Sequence, residues 1–89
     1  MRLNDLGLGD ICIVKKIENN DTIKRRLLDL GLTPGTKVEV VLENFGKNLK
    51  AYMIRNVLIA IRNNDSRNVL VDVIWKKRKI SWIDLKLFF

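Results

Sequence analysis

Nineteen residues, Ile23 to Val41, constrain this chain more than any others, because they specify a helix, its stop, a turn and a strand without a spare residue. Ile23, Leu27 and Leu30 fall at i, i+4 and i+7, one apolar stripe of a short helix, while Lys24, Arg25 and Asp29 point elsewhere. Asp21 or Thr22 is placed to accept a hydrogen bond from the free N–H groups of the first turn, so the helix is expected to start there. Gly31 follows the last periodic residue, where a left-handed backbone suits a residue without Cβ. Leu32 is then positioned to fold back onto the helix. Pro34-Gly35 makes a turn, with Pro fixing φ at i+1 and Gly supplying positive φ at i+2. Beyond it the chain alternates, with Val38, Val40 and Leu42 on one face and Lys37, Glu39 and Glu43 on the other.

The remainder reads as further short strands. Residues 10–17 form a first strand, and Glu18-Asn19-Asn20-Asp21 a polar loop into the helix. The strand after Pro34-Gly35 runs from Thr36 to about Asn44, and Phe45-Gly46-Lys47-Asn48 turns the chain into a third strand near Lys50 to Ile54. Arg55-Asn56 connects tightly to a fourth, Val57 to Arg62. Asn63-Asn64-Asp65-Ser66 is rich in side chains that bond their own backbone and predicts a turn or one 3₁₀ turn. Val69, Val71 and Val73 alternate with Leu70 and Asp72 in a fifth strand. The expectation is a mainly β fold with one short helix, closed into a small and strongly bent five-stranded barrel over residues 1–75. Residues 76–89 form a basic, then apolar, C-terminal tail.

Composition narrows the chemistry. At 89 residues there is room for one small domain, and the 47% hydrophobic content is ample for a core. Histidine is absent and Cys12 is the single cysteine. That excludes Ser-His and Cys-His catalytic pairs, an intrachain disulfide and a soft-ligand zinc site. Cys12 lies in the apolar run Ile11 to Val14 and reads as a buried, inert thiol. The carboxylates Asp5, Asp10, Glu18, Asp21 and Asp29 show no pairing on one face. Gly31-Leu32-Thr33-Pro34-Gly35-Thr36-Lys37 has three residues between its glycines instead of four, inverts the Lys-Thr order of a phosphate loop and leads into a strand. No catalytic residue, cofactor site or metal site is predicted, and the chain is expected not to be an enzyme. No leader-like apolar run follows Met1-Arg2 and no stretch approaches the roughly 20 apolar residues of a membrane span, so a cytoplasmic location is expected.

Residues 25–41, RRLLDLGLTPGTKVEVV, strongly resemble the signature of the FeoA family. Leu3, Leu6, Gly9 and the strand Asp10 to Val14 are similar to that family's opening. Tyr52-Met53-Ile54-Arg55 with Val57 to Arg62 resembles its central hairpin, and Asn68-Val69-Leu70-Val71 its closing strand. The resemblance covers roughly residues 1–74. It implies an SH3-like barrel that serves bacterial ferrous iron uptake through a partner rather than through an iron site of its own. That partner would be FeoB, a membrane transporter with a cytosolic GTP-binding domain. Asn56 stands where the family usually has Gly, yet Asn tolerates a left-handed turn next best. Ser66 stands where Ala is usual. The tail is a third departure, since such chains usually stop near the closing strand.

Charge sets the remaining alternatives. The net charge is +7, of which residues 1–75 carry 12 basic and 9 acidic side chains and the tail 5 and 1. The candidates for partner contact are Lys24, Arg25, Leu32, Thr33 and Arg55, with Gly31, Pro34 and Gly35 as structural residues. Lys24-Arg25-Arg26 reads either as a solvated helix face or as a docking patch for an acidic surface, and the stem of Arg26 as cover for the core edge. Tyr52 reads as a core-edge aromatic rather than a binding residue. Three readings are open for Lys76 to Phe89: packing on the barrel or self-association, contact with a membrane surface, and an end without a role. A small basic barrel also suits nucleic acid, although its strands lack interleaved exposed aromatics for stacking.

Overall fold

In a computed structural model, which describes residues 1–43 and 48–76, a 3₁₀ turn at Leu3–Asp5 precedes β1 (Ile11–Ile17) and α1 (Asp21–Asp29). The chain continues through β2 (Lys37–Leu42), β3 (Leu49–Ile54), β4 (Val57–Arg62), α2 (Asn63–Ser66) and β5 (Val69–Trp75). The strands form one antiparallel sheet in the order β4-β3-β2-β1-β5. Ile61 of β4 and Val69 and Val71 of β5 nevertheless share one buried cluster with Val38 and Val40 of the middle strand. The sheet is therefore rolled, its two ends folded over a common core that Leu3, Leu6 and Leu27 close from outside the sheet.

Bulges do the bending. The register of β1 against β5 shifts between Val14 and Lys16, which breaks strict alternation. Cys12 and Val14 point inward, Lys15 and Lys16 are both exposed, and Ile17 rather than Lys16 returns to the core. A second shift, between Val40 and Leu42 against β3, corrects the expected pattern of β2. Val38 and Val40 are fully buried, but Leu42 is 41% exposed because Val41 is the extra residue and throws it outward. Asn44 and the turn residues Phe45 to Lys47 lie outside the described residues.

The helix matches its predicted span with two corrections. Its N-cap is Asn20, whose Oδ1 accepts from Ile23 N at 3.0 Å, and Asp21 is its first residue. Leu27 is buried and Ile23 half-buried, but Leu30 sits at the C-cap, 39% exposed, and Leu28 packs against the core in its stead. The stop is a complete Schellman motif: Gly31 N donates to Leu28 O and Leu32 N to Leu27 O, each at 3.0 Å. Gly31 has φ +102 and Leu32 is fully buried. Thr36 N then donates to Thr33 O at 3.0 Å across Pro34-Gly35, with Gly35 at φ +90, the signature of a type II turn. Gly35 N to Val14 O and Val14 N to Thr36 O stitch this turn onto β1.

The β3–β4 hairpin turns on Arg55 and Asn56, both at positive φ as a type I′ turn requires. Residues 63–66 form one turn of α-helix rather than a plain turn or a 3₁₀ turn. At the N-terminus, Lys50 Nζ donates to Asn4 O and Leu6 O at 2.7 and 2.9 Å, holding the first segment against β3. Arg2 pairs with Glu18 and keeps its carboxyl below the usual range.

Two expectations for stability follow from these placements. Both glycines around the corner hold φ that L-residues adopt at a penalty, so Gly35→Ala, with nothing within 4 Å of its new Cβ, should lower unfolding free energy by about 1 kcal/mol. Gly31→Ala should lower it further, by about 1–2 kcal/mol, because its Cβ would meet Arg55 Cδ at 3.1 Å; urea titration orders the two. Burial pushes the Cys12 thiol up to about 12, with Asp10 adding to it, and burial likewise takes the Tyr52 phenol to about 12, partly opposed by the Ser66 hydroxyl. Both folded-state values lie above the unfolded ones, so stability should hold up to about pH 9 and fall as pH rises from 9 towards 12. Urea midpoints at pH 8, 10 and 11 test this, and Cys12→Ala should remove the earliest part of the decline.

Candidate functional site

The two ends of the Thr33-Pro34-Gly35-Thr36 turn place their hydroxyls 2.7 Å apart, and Arg55 reaches over from the β3–β4 turn to bind both. Its Nη2 donates to Thr33 Oγ1 at 3.0 Å and to Thr36 Oγ1 at 3.3 Å, and its Nε to Gly31 O at 3.4 Å. One guanidinium thus ties the helix stop, the type II turn and the hairpin tip into a single corner. The absence of a Cβ at Gly31 lets the Arg55 stem approach this closely. Beside the corner lies an open depression of about 570 Å³, whose lining includes Pro34, Lys37, Glu39, Met53 and Asn56. It presents the Arg55 guanidinium and the Lys37 ammonium together with the Glu39 carboxylate, and Pro34 and Met53 as its apolar lining. Donors and an acceptor side by side suit contact with a polar surface.

Of the candidate contact residues, the structure brings Thr33 and Arg55 into one hydrogen-bonded group, with Arg55 exposed and Thr33 half-buried. Lys24 and Arg25 stand exposed on α1, without an ion pair to any described residue. Leu32 is a correction: the Schellman motif turns it fully into the core, so it is no contact point, and only Thr33-Pro34-Gly35 of that loop reaches solvent. Gly31, Pro34 and Gly35 hold the structural positions described above. Arg26 is exposed beside Leu27 and lines a second cleft along the helix. Tyr52 is fully buried, deeper than the core edge. Cys12 is fully buried too.

Sequence reasoning passed over Thr36 and Lys50. Thr36 had a readable signal, because a four-residue turn brings its first and last residues together, and here both are threonines. Lys50 bridges 44 and 46 positions of sequence, and nothing local announces that. Among the described residues no three His, Cys, Asp or Glu side chains are grouped to hold a metal ion. Nor is any described helix long and apolar enough to cross a membrane. Lys76 is exposed, and the tail beyond it lies outside the described residues.

Known proteins match this architecture. The FeoA domain model matches residues 1–73. A Porphyromonas gingivalis protein described as a fusion of Fe(2+) transport protein A with the Fe(2+) transporter FeoB is 26% identical over 74 residues. That match takes in 83% of this chain but only 9% of the fusion's length. The FeoA protein of Chlorobium tepidum superposes with a TM-score of 0.75 at 26% identity, covering 88% of this chain and 74% of that one. FeoA of Stenotrophomonas maltophilia, solved with zinc and described as a prokaryotic SH3 domain protein, superposes at 0.71 with 29% identity, covering 81% and 89%. With five antiparallel strands rolled over one core, a short helix, and a family match over residues 1–73, the chain belongs to the FeoA family and has its SH3-like fold.

Proposed function

We propose that this protein is a non-catalytic, cytoplasmic accessory module of ferrous iron uptake that docks by protein–protein contact on a FeoB-type transporter. One observation carries the reading: in the P. gingivalis relative, a segment similar to this chain is fused to FeoB in one polypeptide. Fusion of two modules raises their effective concentration for one another, which is useful only when they meet. The docking surface is the rigid corner made by Thr33 and Arg55, with Lys24 and Arg25 of α1 adding positive charge for an acidic partner face. A preorganised corner of this kind loses little side-chain freedom on binding.

Docking alone changes nothing in the partner. Modulation of its GTP-binding domain requires different affinity for two states of that domain. Titration of the labelled protein with the soluble FeoB domain, in GTP and in GDP, is the direct test. Amide shifts should localise to Lys24, Arg25, Thr33 and Arg55 and differ in midpoint between the two nucleotides. A double charge reversal, Lys24→Glu with Arg25→Glu, should weaken binding about ten-fold and flatten its salt dependence. Silence with the FeoB domain, alongside steeply salt-dependent shifts with short duplex DNA or RNA, would replace docking with nucleic-acid binding.

A further inference from the structure

Leu30 ends the apolar stripe of α1, yet the barrel does not cover it. On the inner side of that helix a cleft of about 580 Å³ runs between α1 and the β3–β4 pair. Leu27 and Ile61 are its buried floor, and Ile23, Leu30, Leu49 and Ala60 its apolar walls. Among the described residues, the cleft is therefore an aliphatic trough with no aromatic side chain in its lining. Two guanidiniums, Arg26 from the helix and Arg62 from the end of β4, stand exposed beside it, one on each wall. Neither forms an ion pair with a described residue, and among the described residues of the lining Asp65 is the single carboxylate. Aliphatic walls between opposed cations fit a ligand that is aliphatic along one face and carries acidic groups beside it.

We infer that this cleft is a binding site for a peptide segment of a partner protein that combines Leu- or Ile-type side chains with flanking Glu or Asp residues. The inference rests on the cleft alone and holds whether or not FeoB is the partner. The aliphatic side chains would cover Leu30 and Ala60, and the carboxylates would meet Arg26 and Arg62.

The test uses the full chain and three capped synthetic hexapeptides: Glu-Leu-Leu-Glu-Ile-Leu, the same with Lys for Glu, and the same with Ser for the aliphatic residues. Followed by amide shifts, the first should move Leu30, Ala60 and Arg62 and saturate. The lysine and serine versions should each bind at least about five-fold more weakly. Arg62→Glu should cost the first peptide a similar factor and improve the lysine version. Leu30→Ser, at an exposed position, should weaken the first peptide while leaving the folded spectrum intact. Equal shifts from all three peptides, or none, would overturn the assignment. So would shifts at Leu30 and Ala60 that depend on protein concentration without peptide, since a second copy would then be the occupant. Loss of FeoB-domain binding with retained peptide binding would bear on the docking proposal and leave this one standing.

Discussion

Everything on this scaffold hangs on the reversal of the chain at Gly31. A helix of nine residues is too short to persist by itself, so α1 exists because its last turn is anchored. The anchor is double: two backbone hydrogen bonds close the Schellman motif, and Leu32 drops into the core beside Leu27. From that fixed point only the four residues of the Thr33–Thr36 turn separate Leu32 from the start of β2. The pairing of β2 with β1 on one side and β3 on the other then sets the register of the sheet's centre. Without a left-handed residue at Gly31 the helix would project past the barrel, and Thr33 would not lie where Arg55 can reach it.

The same reversal creates both candidate surfaces. It ends α1 before Leu30 can be buried, which leaves the stripe open along the cleft, and it delivers the Thr33–Thr36 turn to the hairpin tip. One surface is polar and tied down; the other is aliphatic with cations beside it. Their different chemistry means that a single partner could engage both only with two distinct segments.

What was legible in the sequence was local. Gly31, Pro34-Gly35 and Arg55-Asn56 are positions where backbone sterics leave few choices, so residue type predicts conformation. Alternation identified the inward faces of β2 and β5 for as long as alternation held. It failed at Leu42 and could not decide Lys16, because a bulge is set by how two strands pair, and neither sequence alone contains it. Leu30 was misplaced for a related reason, and Leu32, rightly expected to fold back onto the helix, was wrongly offered as a contact residue as well. Both are leucines beside a helix end, and which one is buried depends on the path taken after Gly31 rather than on helical spacing. The Arg55 network joins residues about 20 positions apart and leaves no periodic trace.

Arg55 itself occupies a position that pulls in two directions. Its φ of +50 is one a glycine would adopt more comfortably, while its guanidinium is what unites the corner. A chain with glycine there would keep the barrel and gain an easier turn, at the loss of the strut between two loops. Global stability and local stiffness are therefore uncoupled at this residue. Within the family fold, stiffness of the corner can drift through sequence change at one position without threatening the fold that carries it.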